Sequence, residues 1–148
     1  MSFLSGMDIS ASGLTAQRTR MDVITENIAN IDTTRTEDGT PYTRRMVVME
    51  ERNSDFASLL TDGMRGGISP NDYGGVRIAE IADDPTEYEL VYDPTHPDAN
   101  EEGYVQMPNV DIMQEMVDLM EAYRSYEANI TAFQAYKDMA VKTFEIGT

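Results

Sequence analysis

The residues able to do chemistry in this chain are few and poorly grouped. Its single histidine, His96, sits in the polar stretch Asp93-Pro94-Thr95-His96-Pro97-Asp98. Nucleophilic catalysis needs a base held beside a Ser, Thr or Cys, and this setting reads instead as a turn. Gly63-Met64-Arg65-Gly66-Gly67 lacks the Gly-Lys-Ser/Thr ending of a phosphate-cradling loop and reads as flexible. Asp93, His96, Asp98, Glu101 and Glu102 could gather around Ca²⁺, but they lack the alternating ligands and terminal Glu of an EF-hand. A solvated acidic loop fits better. Asp83 and Asp84 are adjacent in sequence, which defines no cleft for acid/base work. Asn129-Ile130-Thr131 matches a glycosylation sequon but falls where a helix is expected. The expectation is a non-enzymatic chain with no catalytic residue, cofactor or metal site. An acidic Ca²⁺-binding module with a helical stalk is the alternative.

Composition narrows the partners. A net charge of -16 argues against nucleic acid, whose phosphates need clustered Lys and Arg. Acids and bases number 4 and 2 in residues 1–34, 16 and 6 in 35–105, and 7 and 3 from 106 onward. The middle is therefore strongly negative and favours solvent, while the ends stay nearly neutral and adhesive. With no cysteine, neither disulfides nor thiolate chemistry is open to the chain. Eleven methionines supply adaptable contact surface. No apolar run is long enough to span a membrane, and the N-terminus lacks the basic and apolar regions of a secretory signal. Export, if it occurs, is expected to use another route.

What remains to be positioned is a pair of apolar stripes. Stepping by four and three from Ile112 gives Met116, Leu119, Tyr123, Tyr126, Ile130, Phe133, Lys137, Ala140 and Phe144, with Lys137 the break. That period favours a helix supercoiled on a partner helix. At the front, Met7, Leu14, Met21 and Ile28 recur every seventh residue, joined by Ala11, Ile24 and Ile31. Ser10, Gln17 and Arg18 dilute this face, and Gly13 inside it costs about 1 kcal/mol relative to Ala. The front helix is expected to end near Asn30, ahead of a polar run with an Asp38-Gly39 turn signal. For the rear helix, Pro108 stops what precedes, Asn109 is the candidate N-cap, Asp111 and Glu115 suit the positive dipole end, and Gly147 can close it. Strands are expected at 42–50, 87–92 and, more weakly, 76–81, the second alternating charged with aromatic or apolar positions from Glu87 to Tyr92 as a half-buried strand would. Residues 53–75 read as a Gly-rich excursion with a short helical turn near Phe56 to Leu60.

The expected fold is mainly α with a small β insert, elongated, its terminal helices paired as a coiled-coil-like hairpin with short strands and loops between. The expected division is a terminal helical domain, 1–34 with 106–148, and a β/loop middle, 35–105, whose loop at 53–75 is flexible. An intrachain hairpin could bury both stripes unaided. A rear helix of about 36 residues against a front one of about 26 leaves roughly 15 Å uncovered, which invites another subunit.

Three blocks carry a family likeness. The first is Leu14-Thr15-Ala16-Gln17 with Asn27-Ile28-Ala29-Asn30-Ile31-Asp32-Thr33; the second is Pro41-Tyr42-Thr43-Arg44-Arg45 through Val47 and Val48. The third runs from Leu90-Val91-Tyr92-Asp93-Pro94 through Gly103-Tyr104-Val105, Met107-Pro108-Asn109-Val110-Asp111 and Glu115-Met116-Val117 to Tyr126-Glu127-Ala128-Asn129. With these blocks the chain resembles the bacterial flagellar axial proteins of rod and hook, and among them the proximal-rod C subunits. Asn27, Ala29, Asn30 and Thr33 match the shared Asn-Leu-Ala-Asn-x-x-Thr signature, and Pro108, Asn109 and Asp111 the block specific to that subunit type. Tyr123 and Ser125 depart from the family's more frequent Ser and Ala, the 53–75 loop looks longer, and the chain is unusually acidic. The resemblance implies a non-enzymatic building block of the basal-body rod, exported unfolded by the flagellar type III apparatus and polymerised in the periplasm. It implies terminal helices packed along the inner tube, with other rod subunits, copies of the chain, the rod-to-ring adaptor and the export gate as partners. Helix ends that order only on joining the rod are expected in the free chain.

Overall fold

The computed structural model describes residues 3–52 and 74–146. Helix α1 spans Phe3–Ala29 and α2 spans Ile112–Ile146, with strands β1 (Arg45–Glu51), β2 (Val76–Asp83), β3 (Glu89–Tyr92) and β4 (Tyr104–Met107) between them. β1 pairs with β2 and β3 with β4, forming two separate two-stranded sheets. The expected excursion at 53–75 lies outside the described residues except for Gly74 and Gly75, as do the glycine-rich stretch at 63–67, the helical turn near Phe56 and the closing Gly147.

Two compact units make up the chain. One holds Met1–Arg18, Met49–Ala79 and Tyr123–Thr148; the other holds Thr19–Val48 and Glu80–Ala122. Both terminal helices contribute to each unit, and in each they run antiparallel. In the first, Gly6 lies against Tyr136 and Gly13 against Asn129. In the second, Arg20 meets Asp118 and Asn27 meets Glu115.

α1 carries many hydroxyls for a helix, and several fold back on its own carbonyls. Ser10 donates to Gly6 O, Thr15 to Ala11 O and Thr25 to Met21 O at 2.8–3.1 Å, which satisfies them without solvent. Asn30 closes the helix: its Nδ2 donates to Glu26 O and its Oδ1 accepts from the Thr33 hydroxyl. Tyr42 N then donates to Thr33 O, leading the chain toward β1.

The rear helix starts differently from the sequence expectation. Asp111 is its N-cap, with Oδ1 accepting from Met113 N at 2.8 Å and its carbonyl accepting from Glu115 N. Asn109 is drawn elsewhere: its Oδ1 accepts from Arg44 N, and its Nδ2 donates to the carbonyls of Asp84 and Thr86. A side-chain amide presenting both donor and acceptor to passing backbone outweighs one capping bond. β4 has no counterpart among the expected strands.

β3 and β4 are antiparallel, pairing Leu90 with Gln106, Val91 with Val105 and Tyr92 with Tyr104. Successive side chains point to opposite faces. Val105 is buried, whereas Leu90 and Tyr92 stand in solvent. The strand expected to be half-buried is thus open from Glu89 to Tyr92, Val91 included. Gly103, at φ +82°, turns the chain into β4, and a Cβ there would meet the Tyr92 ring at 3.0 Å.

Candidate assembly interface

The bonds and close approaches that join the helices lie beside their apolar stripes. They fall on a second seven-residue series, one position away: in one unit Gly6 faces Tyr136 and Gly13 faces Asn129, and in the other Arg20 meets Asp118 and Asn27 meets Glu115. A Cβ on Gly6 would lie 2.7 Å from the Tyr136 ring, so glycine is what makes room for the tip of that ring. Gly13 is not a weak point in the face but a seat for the Asn129 amide, 3.0 Å from where a Cβ would sit.

In the second unit the contact is a buried polar knot. Glu115 is fully buried and accepts from Arg44 Nε at 2.6 Å and from Asn27 Nδ2 at 3.1 Å. Arg44 also bridges Asp84 at 3.1 Å and Asp118 at 3.5 Å, and Asp118 takes a further bond from Arg20. Asn27 completes the knot by bonding both N and O of Arg45, as a strand neighbour would, and by accepting from Tyr42 OH. Burial works against the Arg44 charge, but the Glu115 bond and charge, seconded by Asp84, raise its pKa above the ordinary arginine value. Bonds from Thr86, then the Arg44 contact, hold Asp84 below the usual carboxylate range despite its desolvation. Desolvation, seconded by the Glu26 charge, pushes the Tyr42 hydroxyl up.

Small and polar residues supply these contacts, and part of the apolar stripe of α2 stays uncovered. Of the expected assembly residues, Ile24 is buried; Met7, Leu14, Met21, Ile28, Ile31, Leu119, Tyr126, Ile130, Phe133 and Ala140 are half-buried. Ile112, Met116, Tyr123 and Phe144 are 45–77 % exposed. Met113, Val117 and Met120 add a neighbouring exposed stripe that the heptad count passes over. Of the signature residues, Asn27 and Pro108 are buried, Asn30, Thr33 and Asn109 half-buried, and Ala29 and Asp111 exposed. Glu115, Arg44, Asp84 and Tyr42, which hold the knot, were not among the expected site residues. Of these only Glu115 carried a signal in the sequence, as one member of the small-or-polar series Glu115, Ala122, Asn129 and Tyr136 that an apolar pattern search ignores.

No grouping of three or more His, Asp or Glu side chains suited to a metal occurs among the described residues. In the acidic loop at 93–102, His96 Nδ1 accepts from Asp98 N, and Asp98 pairs with Arg35. His96 is a turn residue.

Residues 7–35 match the family profile described as flagella basal body rod protein, and residues 101–145 match flagellar basal body rod FlgEFG protein C-terminal. The flagellar basal-body rod protein FlgC of Bacillus subtilis is 50 % identical over 99 % of both chains. The chain belongs to the FlgC family of flagellar basal-body rod proteins. The FlgC of Borreliella burgdorferi is 42 % identical, covering 94 % of this chain and 93 % of its own, and that of Escherichia coli O157:H7 is 37 % identical over 99 % of both. FlgC membership makes the chain a non-catalytic structural subunit of the rod, a periplasmic assembly in which its neighbours are other rod subunits. It also displaces the Ca²⁺-module alternative.

Proposed function

We propose that the chain polymerises through its terminal helices into the tubular proximal rod that crosses the periplasm and transmits torque. The assembly residues are the apolar stripes of α1 and α2, and residues 1–34 with 106–148 act as the assembly domain around a β/loop middle, 35–105. The observation that carries this reading is the exposure of Ile112, Met116, Tyr123 and Phe144 beside an intrachain contact made of small and polar groups. Exposed apolar stripes of this extent mark surfaces that a partner covers. Heterologous contacts between copies and related subunits generate an open helical array.

On this reading the chain travels by the flagellar type III route, passes the export gate and contacts the rod-to-ring adaptor. Ends that finish ordering on incorporation keep free subunits from polymerising early.

Met116→Asp and Ile130→Asp test the reading. Isolated basal bodies should lack either variant and the cells should not swim, while Met116→Asp, at an exposed position, retains the helical circular dichroism of the parent. Wild-type swimming by both variants would overturn it. Slower amide exchange at the helix ends in basal bodies than in dilute subunit is the accompanying expectation.

A further inference from the structure

We propose that the outer face of the β3–β4 hairpin receives the last turns of α2 from a second copy of this chain, so that copies join head to tail. The inference rests on the chain being a polymerising rod subunit.

Leu90, Tyr92 and Tyr104 share that face by register and are 61, 65 and 40 % exposed, while Val105 on the opposite face is 2 % exposed. Tyr92 and Tyr104 stack edge to face at 5.3 Å, giving a preformed aromatic wall. Beside Leu90 and Tyr104 a groove of about 300 Å³ opens toward Pro41. The alternation of Glu87 and Glu89 with Tyr88, Leu90 and Tyr92 is that of a half-buried strand, yet the chain itself leaves Leu90 and Tyr92 uncovered.

Charge selects the occupant. Residues 78–123 contain 13 acids and no Lys or Arg. Glu87, Glu89, Glu101 and Glu102 are exposed, and none has a cation within 4.0 Å among the described residues. Two hairpin faces would repel one another. The unit that carries the hairpin has 18 acids against 4 bases, whereas the other unit has 9 against 7. The favourable meeting is therefore between unlike units of successive copies.

Within that second unit the end of α2 is the complement. At 3.6 residues per turn Lys137, Val141 and Phe144 fall on one side of the helix. Val141 is 49 % and Phe144 77 % exposed. Lys137 is exposed, with no carboxylate within 4.0 Å among the described residues and no acid three or four residues away in sequence. Arg124 has Glu121 and Glu127 one turn away on either side, and Lys142 has Asp138 and Glu145. None of the three α2 cations has a carboxylate within 4.0 Å among the described residues, and Lys137, the break in the apolar series, is the one that also has no acid a turn away. Phe144 and Val141 cover Leu90, Tyr92 and Tyr104, and Lys137 meets the Glu101–Glu102 rim.

Lys137 and Lys142 are the only lysines, so carbodiimide coupling of isolated basal bodies gives a readable answer. A linked dimer of this chain is expected, with peptide mapping joining Lys137 to Glu101 or Glu102. Lys137→Glu should abolish the dimer and shrink the swimming zone, and adding Glu101→Lys with Glu102→Lys should restore the zone. A chain absent from basal bodies would sink the rod reading itself. A chain present there, with Lys137 unlinked or linked only to a different subunit, would overturn this inference alone, as would failure of the reversal to restore swimming.

Discussion

Asn27 and Glu115 meet across the paired helices with Nδ2 3.1 Å from Oε2, and the same amide bonds both backbone groups of Arg45. One side chain thus ties α1 to α2 and to the first residue of β1. Asn27→Ala leaves Arg45 N, Tyr42 OH and a Glu115 oxygen short of a partner. At about 1–3 kcal/mol for each unsatisfied buried group, and with non-additive losses, a drop of about 3 kcal/mol in unfolding free energy is expected. Urea denaturation of the purified subunit measures it, and a loss below about 1 kcal/mol would show the amide to be replaceable by water.

Glu115 is the only carboxylate of the knot with no solvent exposure. Removing one partner of a buried pair typically costs about 3–5 kcal/mol. Arg44 retains Asp84 and Asp118, so Glu115→Ala is expected near the lower end. Asp111→Ala, which removes only the N-cap of the same helix, should cost about 1 kcal/mol. Equal losses in the two variants would contradict the ranking.

The terminal helices were legible because Met7, Leu14, Met21 and Ile28, and the series from Ile112, repeat at helical spacing, and Asn30 stops the first. What escaped was the use of those helices inside the chain. Gly13 looks like a dilution of an apolar face, and Gly6, Asn27, Glu115 and Asn129 lie off that face altogether, yet these small and polar residues make room for the facing side chains and supply directional bonds. Asn109 misled for a related reason: its side chain suits a cap, and only tertiary structure brings Arg44 N within 2.8 Å of it. β4 escaped because four residues, with Val105 the single buried one, make too short a pattern.

Acid should weaken the second unit through Asp84. Its pKa is lowered in the folded chain, by Thr86 first and then Arg44, so the stability it contributes is present above the unfolded carboxylate pKa and is lost as pH falls through the lower folded value. The melting temperature is expected to fall below about pH 4. Asp84→Asn should show a shallower acid slope, and an unchanged slope would remove Asp84 from the cause.

Tyr42 sets the opposite limb. Burial, then the Glu26 charge, raises its pKa in the folded chain, so its contribution is complete below the unfolded tyrosine pKa and disappears as pH climbs through the folded one. Alkaline unfolding should begin at higher pH in Tyr42→Phe, although that variant is less stable at neutral pH for want of the 2.9 Å bond to Asn27. Melting curves across pH 8 to about 11 separate the two effects.

Gly6 poses a question of sign. Alanine in place of glycine inside a helix gains about 1 kcal/mol from propensity, but the added Cβ would lie 2.7 Å from the Tyr136 ring, and overpacking of that kind costs about 1–3 kcal/mol. Gly6→Ala is therefore expected to destabilise the parent by up to about 2 kcal/mol. In a Tyr136→Ala background the obstruction is gone and the same substitution should stabilise, so that the cycle yields a coupling of about 1–3 kcal/mol. The reversal distinguishes close packing at Gly6 from mere tolerance of a helix-breaking residue, because tolerance alone predicts that Gly6→Ala stabilises in both backgrounds. Thermal denaturation of the four proteins decides between them.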